Sequence, residues 1–347
     1  MPFFRLPQNQ PNLPACSGER PAIPQGCRPA AVPEMSMARS RPRTLWGWLA
    51  VFLLFSLFQG QPVLAADDAA GLRDKYQSLT QQLSHNPFRR QLHLDSAESP
   101  NTLKGDIYAV MDYPFATVES ALNDPARGPA NWCEVLMLHL NTKFCQASTG
   151  SNGSQLSMSI GKKVEQDLDD AYRMDFIYRA AASGNDYFRV ELDAGSGPLG
   201  TRDYRIALEA VAIKGNRTFL HLTYSYSYGL AGRMAMKTYL STLGSDKVGF
   251  TPVGNPSSSQ TEYIGGVRGV VERNAMRYYL AIDAFLGTLS SPPDKRQELR
   301  LTRWFNATEQ YARQLHEVER QDYIQMKLKQ YHASRPNTGG QFKPTRL

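Results

Sequence analysis

GDIYAVMDYPFATVESALNDP, residues 105–125, changes period in the middle. Ile107, Ala109 and Met111 alternate as one face of a strand does. Phe115, Val118, Ala121 and Leu122 then recur at helical spacing. Pro114 stands where a first helical turn tolerates proline, since a nitrogen there has no carbonyl partner to lose. The next segment, PANWCEVLMLH, reads as a second short helix with Trp132, Val135, Leu136 and Leu138 available to pack. The opening of the domain is thus a strand that feeds two short helices.

Five near-alternating segments follow: 154–161, 171–181, 186–194, 202–212 and 217–229. Turns bearing Gly and Asn separate the later ones, at 183–185, 195–197 and 214–216. Strands joined this closely form an antiparallel meander. In the last, RTFLHLTYSYSYG, one face carries Phe219, His221, Thr223, Ser225 and Ser227. The other carries Leu220, Leu222, Tyr224, Tyr226 and Tyr228. A helix is predicted over 230–244, then a short extended piece over 247–254.

Val271, Ala275, Tyr278, Tyr279, Ile282 and Leu286 hold helical spacing along a late segment that Pro292 and Pro293 stop. A second long helix, 295–331, is predicted on Leu301, Phe305, Tyr311 and Leu315. Leu72, Tyr76, Leu79 and Leu83 predict a helix near the start of the body.

This order of elements resembles the helix-grip fold of the START-like (SRPBCC) superfamily, over roughly 105–289. DYPFATVESALNDP and the tryptophan after it are similar to the short helical pair behind the first strand. The resemblance implies an α+β fold: a curved antiparallel sheet wrapped around the long late helix, with a cavity between them. It implies an apolar or amphipathic ligand, of lipid type, as the partner. The Cys133–Cys145 pair, the 230–244 helix and the last helix are additions to that pattern.

Upstream, RSRPR (39–43), the apolar run 45–58 and QPVLAADDAAG form a charged leader, a hydrophobic stretch and a small-residue exit. These are the parts of a secretory signal peptide, with cleavage expected after Ala65. The run is shorter than the roughly 20 residues of a spanning helix. Met35 and Met37 are the expected starts, because the proline-rich residues before them cannot bury a core. The expected divisions are a leader over 1–65, an N-terminal helix and linker over 66–104, and the START-like domain over 105–290. A helical extension over 291–332 and a disordered tail over 333–347 follow. Localisation is expected to be periplasmic or secreted.

In an oxidising compartment Cys133 and Cys145 are expected to form a disulfide. A helix rising 1.5 Å per residue and a strand returning at about 3.3 Å bring the two together. A metal site would want more ligands than two thiols and His139.

Six of the 39 Lys and Arg and two of the 32 Asp and Glu precede Asp67, so the remainder is close to balance. Nucleic-acid binding therefore lacks its electrostatic basis. No GxSxG, HExxH, P-loop or GxGxxG pattern occurs, so no catalytic residue, metal or cofactor is assigned. The candidate ligand residues are Tyr224, Tyr226 and Tyr279 as amphipathic lining, and Arg202 and Glu272 as polar anchors. His221 is a mid-strand group within reach of a cavity, and Ala275 a small residue leaving space. The leading expectation is binding without chemistry. A cyclase- or hydrolase-like enzyme using the same cavity, and a structural or partner-binding envelope protein, are the alternatives. Membrane-surface association stays open.

Overall fold

The computed structural model describes residues 61–151, 153–241, 246–254 and 261–334. The chain enters through α1 (Gln61–Ser78) and α2 (Thr80–Ser84), then forms the hairpin β1 (Leu92–Glu98) and β2 (Thr102–Met111). The short helices α3 (Phe115–Leu122) and α4 (Gly128–Leu136) follow, α3 starting directly after Pro114. The meander comprises β3 (Thr142–Gly150), β4 (Gly153–Ile160), β5 (Tyr172–Ser183), β6 (Tyr187–Ser196), β7 (Thr201–Ile213) and β8 (Arg217–Tyr228). Then come α5 (Leu230–Ser241), the two-residue strands β9 (Pro252–Val253) and β10 (Glu262–Tyr263), and α6 (Gly266–Leu286). The described chain ends with α7 (Pro293–Glu309), α8 (Ala312–Leu315) and α9 (Arg320–Ser334).

Eight strands form one antiparallel sheet in the order β1-β2-β8-β7-β6-β5-β4-β3. The early strand β2 therefore pairs with the last, β8, in a register that sets Ile107 opposite Leu222 and Gly105 opposite Tyr224. Period-two alternation then sorts the side chains. Leu220, Leu222, Tyr224, Tyr226 and Tyr228 join the main core with α6, α3 and α4. Phe219 and Val211 point the other way, where Leu72, Leu79 and Leu83 of the N-terminal segment cover them.

Helix α6 lies on the inner face of the sheet, and its closest approach is fixed by two small residues. A Cβ added at Gly105 would stand 3.1 Å from Ala275 Cβ and 3.3 Å from Val271 O. Cys133 in α4 and Cys145 in β3 are disulfide-bonded, with Cα atoms 5.3 Å apart.

Three expectations need correction. The single helix expected over 295–331 is broken into α7, α8 and α9. At Tyr311 the backbone leaves the helical region (φ −123°, ψ 43°), and the Tyr311 hydroxyl reaches Phe88 O at 2.7 Å. Glu317, between α8 and α9, turns inward to meet Arg277 and Lys163. The helix expected over 72–83 is interrupted at Leu79. The tail expected from 333 is helical through Ser334, and 335–347 lies outside the described residues. Of the expected leader, 1–60 lies outside the described residues and 61–65 belongs to α1. Strand β1 went unforeseen, because LHLDSAE alternates too weakly to show a strand.

Candidate functional site

Helix α6 is buried nearly all round, with one exception. Beyond Gly266 and Arg268 of its first turn, Val267, Val270, Asn274 and Tyr278 keep accessible surface, while Val271, Glu272, Arg273, Ala275, Met276 and Arg277 around them are buried. Spacings of three and four place those four residues on one face of the helix. That face looks onto the inner side of the sheet, since the Tyr278 ring lies 5.1 Å from that of Tyr224. The result is a partly accessible seam between α6 and the tyrosine-bearing strands β7 and β8.

Aromatic groups line it. Tyr204 stacks on Tyr226 at 5.1 Å and lies 6.4 Å from Tyr224. Its hydroxyl pairs with Thr201 Oγ1 at 2.8 Å. The Tyr226 hydroxyl donates to Met236 Sδ at 3.7 Å, so α5 closes this side. Burial pushes the Tyr224 phenol well above its ordinary value, with the neighbouring Tyr278, Tyr204 and Tyr226 adding to the effect. These phenols are therefore neutral donors and acceptors at every physiological pH.

At the inner end stands His139, in the turn between α4 and β3. Its ring stacks on Tyr278 at 5.1 Å. Asn141 N donates to its Nδ1 at 3.3 Å. Burial, then the charges of Arg277, Lys327 and Lys163, hold it well below its usual value, so the ring is neutral. Just beyond, Glu317 accepts from Arg277 Nη2 at 2.7 Å and Lys163 Nζ at 2.5 Å. Burial, followed by the Arg277 charge, pulls Lys163 down to about 8. The Nζ of Lys327 donates to the carbonyls of His139 and Thr142, both at 2.6 Å, and so pins the turn that presents His139.

The residues expected from the sequence divide sharply. Tyr224 and Tyr226 line the seam. Tyr279 projects from another face of α6, toward Arg90, Asp283 and Tyr311. Ala275 meets Gly105 at close contact and leaves no space. Glu272 is wholly buried and accepts from Phe250 N (2.5 Å), Thr251 N (2.9 Å), Thr251 Oγ1 (2.6 Å) and Ser96 Oγ (2.6 Å). It clamps the segment before β9 onto α6, and has no capacity left for a ligand. Arg202 is exposed and pairs with Asp203 at 3.3 Å.

His221 lies on the opposite face of the sheet. Its Nε2 meets Asp106 Oδ1 at 2.8 Å and its Nδ1 meets Glu209 Oε1 at 2.7 Å, while Tyr108 stacks on the ring at 4.2 Å. An open depression of about 380 Å³ there is walled by Lys104, Arg189, Arg205, Glu209, His221 and Thr223. Sequence reading named Tyr278 and His139 but did not assemble them with Tyr204 and Asn274. The stripe 267, 270, 274, 278 was legible as a helical face, but its one accessible side depends on what packs around it.

No family description and no curated protein matches the chain. Solved structures do match in part. Norcoclaurine synthase from Thalictrum flavum is 13% identical, with 43% of this chain and 82% of that one covered, at a TM-score of 0.28. Human StAR-related lipid transfer protein 5 is 8% identical, with 52% and 90% covered, at 0.28. Ara h 8.0201 is 11% identical, with 44% and 91% covered, at 0.25. The architecture decides the matter: an antiparallel meander closed by its first long strand, a short helical pair behind that strand, and a long late helix held against the sheet. The chain has an α+β fold of helix-grip type. Of the helices beyond this pattern, α1 and α2 cover the outer face of the sheet, while α7 packs against α6.

Proposed function

We propose that the protein binds an amphipathic, mostly apolar molecule of lipid type in the seam between β7–β8 and α6, and carries it without chemistry. The observation that carries this reading is the accessible stripe of Val267, Val270, Asn274 and Tyr278 on a helix whose remaining residues beyond its first turn are buried. Ligand sites are mostly apolar surfaces with a few convergent polar groups. Here the apolar walls are valines and tyrosine rings, and the polar groups are phenols, Asn274 and His139. Action outside the cytoplasm belongs to the same reading. It is supported by the signal-like stretch before Ala65 and by the Cys133–Cys145 bridge.

Native mass spectrometry of protein purified from its own host tests the proposal. A co-purifying lipid is expected, and Asn274→Trp should expel it with little change in melting temperature. A ligand-free wild type, together with a large loss of stability in Asn274→Trp, would show the seam to be ordinary core.

A further inference from the structure

A cavity of about 470 Å³ lies away from the seam, between the C-terminal end of α6 and helix α7. Arg90, Arg303 and Asp283 are its charged lining groups among the described residues. Two guanidiniums facing one carboxylate leave the wall with one positive charge in surplus. On α7, Thr302, Asn306 and Gln310 recur at spacings of four and form one row along the same wall. None of these three side chains makes a hydrogen bond among the described residues.

The two arginines are held in place. Gly287 ends α6 with ordinary helical backbone (φ −69°, ψ −3°), so the turn itself makes no demand for glycine. What glycine provides there is room: a Cβ would stand 2.7 Å from Arg303 Nε and 2.8 Å from its Nη2. The guanidinium therefore lies against the backbone of the turn. Its Nη2 donates to the Tyr113 hydroxyl at 3.1 Å, and that hydroxyl donates to Asp283 Oδ1 at 3.0 Å. Arg90 arrives from the segment before β1, and its Nη1 donates to Asp283 Oδ2 at 3.1 Å. Arg303 Nη2 stands 3.8 Å from that same oxygen. Asp283 and Tyr113 thus gather both guanidiniums at one point. The Nε and Nη1 of Arg303 are left without a partner among the described residues.

We propose that this cavity binds a phosphate monoester of a small, soluble polyol, with the phosphate on Arg303 and Arg90. A phosphate monoester carries about 1.5 to 2 negative charges at neutral pH. Its three outer oxygens can accept from both guanidiniums while Asp283 keeps its place. A carboxylate has a single charge and two coplanar oxygens, which one guanidinium satisfies alone. Threonine, asparagine and glutamine side chains each donate and accept, so the row on α7 suits hydroxyl groups rather than an apolar chain. The assignment is independent of the seam and of what the seam binds.

Calorimetric titration of the full-length protein with glycerol 3-phosphate, inorganic phosphate and glycerol tests the proposal. Co-sedimentation with phosphatidylcholine vesicles, with and without phosphatidic acid, asks whether a lipid carries the phosphate instead. Glycerol 3-phosphate is expected to bind at least about tenfold more tightly than glycerol, as bonds to a charged group imply. It should exceed inorganic phosphate by about threefold or more through the row on α7. Arg303→Gln, at an exposed position, should weaken the ester at least about tenfold with an unchanged melting temperature. Gly287→Ala keeps every charge but displaces the guanidinium from its seat, and should weaken binding by about threefold or more. Asn306→Leu should reduce the advantage of the ester over inorganic phosphate. Absence of binding, equal affinity for the ester and either glycerol or inorganic phosphate, or binding to phosphatidic-acid vesicles alone would overturn the assignment. Full affinity in both Arg303→Gln and Gly287→Ala would overturn it as well.

Discussion

His221 Nε2 stands 2.8 Å from Asp106 Oδ1, across the β2–β8 register. Glu209 holds the other ring nitrogen from β7, so the imidazole bridges three adjacent strands. Burial opposes charge on His221, yet its bonds to Asp106 and Glu209 outweigh burial and raise its pKa. Burial likewise works against ionisation of both carboxyls, and their bonds to His221 overcome it and lower them.

The signs predict a pH window. The raised histidine contributes fully below its unfolded value near 6.5, and its contribution is lost as pH rises through the folded one. The depressed carboxyls contribute fully above their unfolded values, the higher being 4.5, and lose it as pH falls through the folded ones. Urea unfolding should show greatest stability in weakly acidic solution. His221→Gln should cost about 3 kcal/mol there and flatten the alkaline decline. An unchanged pH profile in the variant would show that the bridge contributes nothing.

The denatured and unreduced protein should show no reactive thiol from Cys133 or Cys145. Their sequence separation of 12 predicts about 3 kcal/mol of stabilisation in the chain-entropy account. Unfolding the Cys133→Ser, Cys145→Ser double variant measures that contribution. Two titratable thiols in the unreduced chain would remove the staple from the account.

Gly105 and Ala275 set the spacing of sheet and helix, so both should resist enlargement. Gly105→Val and Ala275→Trp are each expected to lose at least about 1–3 kcal/mol by overpacking. Asn274→Trp, one residue away but on the accessible stripe, should lose much less. Similar melting temperatures for Ala275→Trp and Asn274→Trp would contradict the assignment of faces on α6.

Glu317 is the acid on which Arg277 and Lys163 converge. Burial works against its ionisation, but the Arg277 charge and then Lys163 prevail and lower it. Glu317→Gln strips the buried Arg277 and the half-buried Lys163 of this partner and should cost about 3 kcal/mol. Pairing it with Arg277→Met should recover part of the loss in a double-mutant cycle. Strict additivity would mean that the two do not interact.

Local rules determined much of this protein. Period-two alternation set the faces of β8, and the change of period at Pro114 set the strand-to-helix turn. The spacing of Val271, Ala275 and Ile282 set α6, and the even cysteine pair set the disulfide. Each depends on neighbours within a few residues or on a pairing open to simple geometry. Tertiary packing decided the rest. It brought β2 against β8, made Gly105 the reason that Ala275 is small, and filled every acceptor site of Glu272. It sent His221 to the outer face and left Asn274 and Tyr278 facing the seam. It also broke the last helix so that Glu317 could reach Arg277. Whether a polar side chain anchors a ligand or locks the fold depends on which partners arrive from distant strands and helices. Those partners follow from the free energy of the whole chain rather than from any local spacing.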